Sequence, residues 1–203
     1  MKIICVGRNY AEHAKELSNA IPTEPVLFMK AKNALLMTGK AFYYPEFTKD
    51  LHYEAELVVK ICKNGKHIGE RFASKYYDQV TVGIDFTARD LQQRQKDKGL
   101  PWEIAKAFDN SAVVGTFRQI PEGKDIQDYH FELRKNGQLV QQGHTADMLN
   151  TVDQVIAYAS TFFTLNMGDL LFTGTPAGVG PVAIHDRLQA TLEGTPVLDL
   201  DIR

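Results

Sequence analysis

Between Leu51 and Ile61 the chain alternates. Leu51, Tyr53, Ala55, Leu57, Val59 and Ile61 are apolar or aromatic, and Glu54 and Glu56 fall between them. A period of two is the signature of a β-strand, whose successive side chains point to opposite faces. The apolar set therefore faces a core, and the two glutamates stand side by side on the other face. Asn64-Gly65 follows as a hairpin signal, so Lys66-His67-Ile68 is expected to return beside the strand. Shorter apolar runs predict strands over residues 2–6, 26–29, 80–86, 169–173, 186–192 and 195–202, and a second hairpin over 131–142 around Asn136-Gly137. Helices are predicted over 10–17, from a capping box of Thr87 with Asp90 to Gly99, and over 151–163. In the last of these Val152, Val155, Ile156 and Ala159 share one helical face. Strands outnumber helices without regular β-α alternation, which argues for an α+β, β-dominated fold and against a doubly wound sheet.

The 203 residues carry no internal repeat, low-complexity tract or linker, so the chain reads as a single domain, 1–203. A net charge of −2 gives no basis for binding nucleic acid or an anionic membrane surface. Arg8 and Asn9 interrupt the first apolar run too early for a signal peptide, and no window approaches the ~18 apolar residues of a membrane span. Cys5 and Cys62 are too few for a disulfide framework, and Cys5 lies in the apolar run Ile3–Val6 as a buried thiol would. A soluble, cytoplasmic protein is the expectation.

Two carboxylates adjacent on one strand face repel each other. A hard divalent cation such as Mg²⁺ offsets that repulsion; a solvated strand edge is the alternative. Asp85, within the apolar run Val82–Phe86, is either a third oxygen ligand or an ion-pair partner of Arg89. Arg89 and Gln92 share a helix face and offer donors to a substrate carboxylate, or are ordinary helix surface. His13 and Glu16 are spaced so that a carboxylate fixes an imidazole tautomer, as a general base requires, or they are an exposed pair. Arg8 lies in a polar turn open to an anion. Lys106, among apolar neighbours, is either paired with an acid or snorkels to solvent. The loop Thr173–Pro181 matches neither a P-loop nor a dinucleotide fingerprint; it is a tight turn, or its amides and the Thr175 hydroxyl cradle an oxyanion.

The order of these motifs is more specific than any one of them. Gly7-Arg8-Asn9-Tyr10-x-x-His13-x-x-Glu16, Phe28-Met29-Lys30, His52-Tyr53-Glu54-Ala55-Glu56-Leu57, Asp85-x-x-x-Arg89-Asp90, Leu100-Pro101-Trp102-x-x-Ala105-Lys106 and Thr173-Gly174-Thr175-Pro176-x-Gly178-Val179-Gly180 together resemble the fumarylacetoacetate hydrolase family. The similarity is to its short single-domain branch, which contains acylpyruvate hydrolases and oxaloacetate decarboxylases or tautomerases. Ala31 stands where the family commonly has proline after Phe-Met-Lys, Met167 opens the turn usually written Pro-Gly-Asp, and His185-Asp186 replaces a late Gly-Asp.

The resemblance implies a mixed β-sandwich roll of the family's C-terminal-domain type, a Mg²⁺ or Mn²⁺ site and a homodimer. By motif, the metal ligands would be Glu54, Glu56 and Asp85. His13 and Glu16 would form a catalytic dyad on a mobile lid, with Lys106 also catalytic, and Arg8, Lys30, Arg89, Gln92, Gly174 and Thr175 would bind substrate. The implied reaction is hydrolysis of the C–C bond of an acylpyruvate by way of a pyruvate enolate. Oxaloacetate decarboxylation or tautomerisation, and isomerisation of an unsaturated 2-oxo diacid of the 2-hydroxyhepta-2,4-diene-1,7-dioate type, use the same residues. A non-catalytic dicarboxylate-binding module has no use for an oriented base.

Overall fold

A computed structural model describes residues 1–16 and 21–203. Among them, eight strands form one mixed sheet. Its path runs Val26–Lys30, Ile3–Gly7, Leu170–Phe172, Ala55–Ile61, Tyr77–Asp85, Ala112–Val114 and Leu35–Met37, with Arg118–Gln119 pairing to Tyr77–Asp85. Strands Gln138–His144, His130–Lys135, Arg187–Leu192 and Thr195–Asp201 form a second, antiparallel sheet in that order. A third, of three strands, places Leu51–Tyr53 between Gly180–Pro181 and Thr87–Ala88. Few helices accompany them, so the β-dominated α+β expectation holds. No described helix is long and apolar enough to cross a membrane.

The alternating segment is a strand in two pieces, Leu51–Tyr53 and Ala55–Ile61, in different sheets, with Glu54 at the break. The alternation survives it: Leu51, Tyr53, Ala55, Leu57, Val59 and Ile61 all enter the main core. The amide of Ala55 is satisfied by the Gln141 side chain at 2.8 Å, so the break leaves no orphan donor there. On the glutamates' face Val58 packs with Ile3, Cys5, Val114, Leu170 and Phe172 in a second core, so this strand is buried on both sides. Gly83 lets the neighbouring strand approach: a Cβ there would lie 2.7 Å from Val58 and from the Val113 carbonyl oxygen.

Two local expectations are corrected. Asn64-Gly65 does not close a hairpin, because nearby donors are claimed by the end of the Val152–Phe162 helix and its following loop. His67 N–H donates to Ser160 O, Ile68 N–H to Ser160 Oγ and Gly65 N–H to Leu165 O. The chain returns instead as Tyr77–Asp85, after the 3₁₀ turn Glu70–Tyr76. Thr87 and Asp90 are not a capping box; Ala88 is the N-cap of helix Arg89–Asp97, and Asp90 accepts from Thr48 Oγ1 and the amides of Lys49 and Leu91. The strands Leu35–Met37 and Ala112–Val114, of three residues each, are too short to show an alternation.

Other expectations stand. Asn136 and Gly137 take the positive φ values of a tight hairpin turn (52° and 82°). Helix Val152–Phe162 opens on a capping box between Thr151 and Gln154. Thr151→Ala should lower unfolding free energy by about 1 kcal/mol. The check is a fall in the denaturant midpoint with an unchanged m-value.

Candidate metal centre and its cleft

Glu54 occupies the break, Glu56 follows two residues on, and Asp85 ends the strand paired antiparallel to Ala55–Ile61. Strand pairing thus converges three carboxylates distant in sequence. An oxygen from each lies within 4.8 Å of the others. With exposures of 5%, 2% and 0% for Glu54, Glu56 and Asp85, a solvated strand edge is excluded.

The surrounding cations are unevenly shared. Lys106 Nζ lies 2.8 Å from Glu54 Oε2, 2.7 Å from Asp85 Oδ2 and 2.6 Å from Thr87 Oγ1. Arg89 Nη2 reaches Glu54 Oε1 at 2.6 Å, and Lys30 Nζ reaches Asp85 Oδ1 at 2.6 Å. Glu56 receives the Gly174 amide at 2.8 Å. Burial alone would raise both glutamates. At Glu54 the Lys106 and Arg89 charges overcome it and hold the carboxyl well below the usual range. At Glu56 burial is reinforced by the Asp85 and Glu54 charges, and the carboxyl is pushed well above that range. Burial opposes a charge on Lys106, but Asp85 and Glu54 outweigh it and keep the amine protonated.

The donor set is all oxygen, with no imidazole or thiolate, and suits a hard divalent cation of the Mg²⁺ or Mn²⁺ type. Glu54, Glu56 and Asp85 would hold the ion.

The N-terminal turn brings the dyad over this centre. Strand Ile3–Gly7 runs parallel to Leu170–Phe172, which sets residues 8–13 beside the loop at 173–178. Asn9, fully buried, locks the two together: its Nδ2 donates to Asn150 O and Thr173 O, and its Oδ1 accepts the Asn150 amide. On the short helix Ala11–Glu16, His13 Nδ1 lies 3.3 Å from Glu16 Oε2. Glu16 also accepts the Gly178 amide, at 3.1 Å and 3.2 Å to its two oxygens. The end of the helix expected over 10–17 falls on residue 17, and residues 17–20 lie outside the described residues.

The cleft is lined by Arg8, His13, Glu54, Glu56, Asp85, Arg89, Gln92, Lys106 and Thr175, as expected, together with Val6, Gly7, Phe28, Lys96 and Trp102. Three expected site residues do not line it. Glu16 stands behind His13. Lys30 is a buried brace: besides Asp85 it contacts the carbonyls of Phe86, Lys106 and Ser111 and the Ser111 hydroxyl. The Gly174 amide is spent on Glu56, so it is not an oxyanion donor. The Thr175 hydroxyl is committed as well, donating to Ala55 O and accepting from Gln141. Lys96 was missed, although Arg89, Gln92 and Lys96 at i, i+3 and i+7 share one helical face. Burial, then the Arg8 and Arg89 charges, lower the Lys96 pKa, which places this cation close to the other two.

The fold and site together define a buried three-carboxylate cluster, able to hold a metal ion, in a β-dominated architecture. The chain belongs to the fumarylacetoacetate hydrolase family: the family model "Fumarylacetoacetate (FAA) hydrolase C-terminal" matches residues 2–202. The oxaloacetate tautomerase YcgM of Escherichia coli (strain K12) is 43% identical over 196 residues, covering 95% of this chain and 89% of that protein. The mitochondrial oxaloacetate tautomerase FAHD1 of Homo sapiens is 42% identical over 195 residues, covering 95% and 87%. Among solved structures, fumarylpyruvate hydrolase from Pseudomonas aeruginosa in complex with Mn²⁺ and pyruvate superposes with a TM-score of 0.93. It is 36% identical, and the match covers 100% of this chain and 89% of that one.

Proposed function

We propose that this chain is a divalent-metal-dependent tautomerase of oxaloacetate or a closely similar 2-oxo dicarboxylate. The observation that carries the reading is the polarity of the cleft. Three carboxylates form one wall, while Arg8, Arg89 and Lys96 bring positive charge to the same space. Lys30, Lys106 and Arg89 already match the three carboxylates in formal charge, so a bound dication leaves a positive excess, to which Arg8 and Lys96 add, and a dianionic substrate suits it better than a monoanion. The two oxaloacetate tautomerases, at 42% and 43% identity, support the same choice.

When bound, the metal supplies Lewis-acid polarisation of the 2-oxo group, which acidifies the neighbouring C3–H. The Nδ1–H of His13 is directed at Glu16, which leaves Nε2 as the lone-pair nitrogen of a residue lining the cleft. His13 takes the C3 proton as the C–H electron pair moves into the C2–C3 bond, and a proton returns to the C2 oxygen. Lys106 keeps a positive charge beside the developing oxyanion. Arg8 and Lys96 hold the distal carboxylate, and Phe28 and Trp102, in edge contact at 5.9 Å, form an apolar wall.

Hydrolysis of acylpyruvates is the second reading, favoured by the dyad itself, since an oriented imidazole deprotonates water as well as carbon. Ultraviolet detection of enol oxaloacetate, with proton NMR of products from acetylpyruvate and fumarylpyruvate under Mg²⁺, separates the two. Tautomerisation no faster than buffer, with acylpyruvate cleavage present, transfers the assignment to the hydrolase. Arg8→Gln is expected to raise KM for the dicarboxylate about tenfold, the effect of one lost charge-assisted hydrogen bond. Its effect on KM for monoanionic acetylpyruvate should be much smaller.

A further inference from the structure

The four-stranded sheet contributes none of the three carboxylates, yet it and the turn leading into it carry the other group of metal-competent side chains found among the described residues: Asp128, His130 and His144. We propose that these three residues form a surface site for a borderline-soft divalent transition metal of the Zn²⁺ class, independent of the metal centre in the cleft.

Backbone pairing builds the site. His130 and His144 are directly opposed in the antiparallel hairpin set by the Asn136-Gly137 turn. Their rings stack with centroids 4.0 Å apart and planes 13° from parallel. Asp128 is brought alongside by its turn: its amide donates to Asp125 O, and the Thr145 amide donates to Tyr129 O. The His130 amide is fixed on Glu193 Oε1. The ligand frame is therefore held before any ion arrives, leaving only side-chain rotations to make.

The distances suit a tetrahedral ion. Zinc bonds to imidazole nitrogen and carboxylate oxygen at about 2.0–2.2 Å, which sets neighbouring ligand atoms about 3.3–3.5 Å apart. His144 Nε2 and Asp128 Oδ1 stand 3.4 Å apart, and one ligand atom from each of the three residues lies within 4.8 Å of the others. A rotation that opens the imidazole stack closes the remainder. Lys124 holds the other carboxylate oxygen, Oδ2, at 3.0 Å, so it orients Asp128 while leaving Oδ1 turned toward His144. Two imidazoles with one carboxylate prefer Zn²⁺, Ni²⁺ or Cu²⁺ to Mg²⁺, the reverse of the all-oxygen cleft.

The test is calorimetric titration of the full chain with Zn²⁺ in excess Mg²⁺, beside proton NMR of the imidazole resonances. One Zn²⁺ per chain is expected to shift the His130 and His144 signals, two of the six histidines. His130→Asn and His144→Asn should each weaken that event at least tenfold, the scale lost even when a partner outside the ligand set is removed. Mg²⁺-dependent turnover should be unchanged in both. Zn²⁺ affinity unchanged from wild type in both variants, or His130 and His144 signals that do not respond in the wild type, overturns the proposal. The NMR arm needs no substitution, so a folding defect in a variant cannot mask the result.

Discussion

Glu56→Gln is expected to remove metal-dependent turnover by at least two orders of magnitude and, without metal, to raise the thermal unfolding midpoint. Both effects come from its position. Among the three carboxylates Glu56 accepts a backbone amide and no ion pair, and burial beside Asp85 and Glu54 drives its pKa upward. A carboxyl whose folded pKa lies above its unfolded value makes the folded state bind more protons. Stability then falls as pH rises from the ordinary carboxylate range toward the raised value. Glutamine removes that decline while keeping the shape. In the wild type, metal binding must displace the retained proton. Calorimetry in buffers of different ionisation enthalpy should therefore report proton release from the wild type and none at this position in the variant. Asp85→Ala is the contrast. It strips an anion from the buried ammonium groups of Lys30 and Lys106 and should cost on the order of 3–5 kcal/mol of stability along with activity. If Glu56→Gln keeps wild-type turnover, Glu56 is not a metal ligand.

His13→Ala is the second large effect: kcat for tautomerisation should fall about 10²–10⁴-fold, the range supplied by a positioned general base. His13 contacts the rest of the site through Glu16 and takes no part in the carboxylate cluster, so metal affinity and the unfolding midpoint should stay near wild type. Acylpyruvate hydrolysis should fall in parallel, because it also needs a proton removed. Decarboxylation of oxaloacetate, which needs no base at C3, should survive better. Equal loss of all three reactions would show that His13 does not act as the base. Glu16→Gln should give a smaller loss, since the amide oxygen still accepts from Nδ1–H and only the charge is gone.

The three carboxylates were readable from sequence because an acid inside an apolar strand is costly unless something holds it. The identity of their partners was not. Asp85 invited pairing with Arg89 one helical turn on; the fold gives Arg89 to Glu54, and gives Asp85 to Lys30 and Lys106. Lys30 carried a substrate role by motif, but Val26–Lys30 pairs onto Ile3–Gly7 and turns that amine behind Asp85. Periodicity assigns a residue to a face without saying which face opens on a cleft. The Asn64-Gly65 turn misled for a similar reason: a hairpin signal is local, whereas the donors around it were taken by a helix and loop about a hundred residues later. Where interactions were local, as in the Asn136-Gly137 hairpin and the apolar face of the Val152–Phe162 helix, the pattern and the fold agree.

The Asn9 lock has a consequence for biosynthesis. Its partners lie 141 and 164 residues further along the chain, and the amide on Glu56 comes from 118 residues away. Contacts this distant close late, after the loop entropy between them has been overcome. While the chain is still on the ribosome, Glu54, Glu56 and Asp85 can emerge and pair as neighbouring strands, but the dyad has nothing to dock against until Thr173 and Gly178 are made. Chemistry at this site is withheld from an incomplete chain.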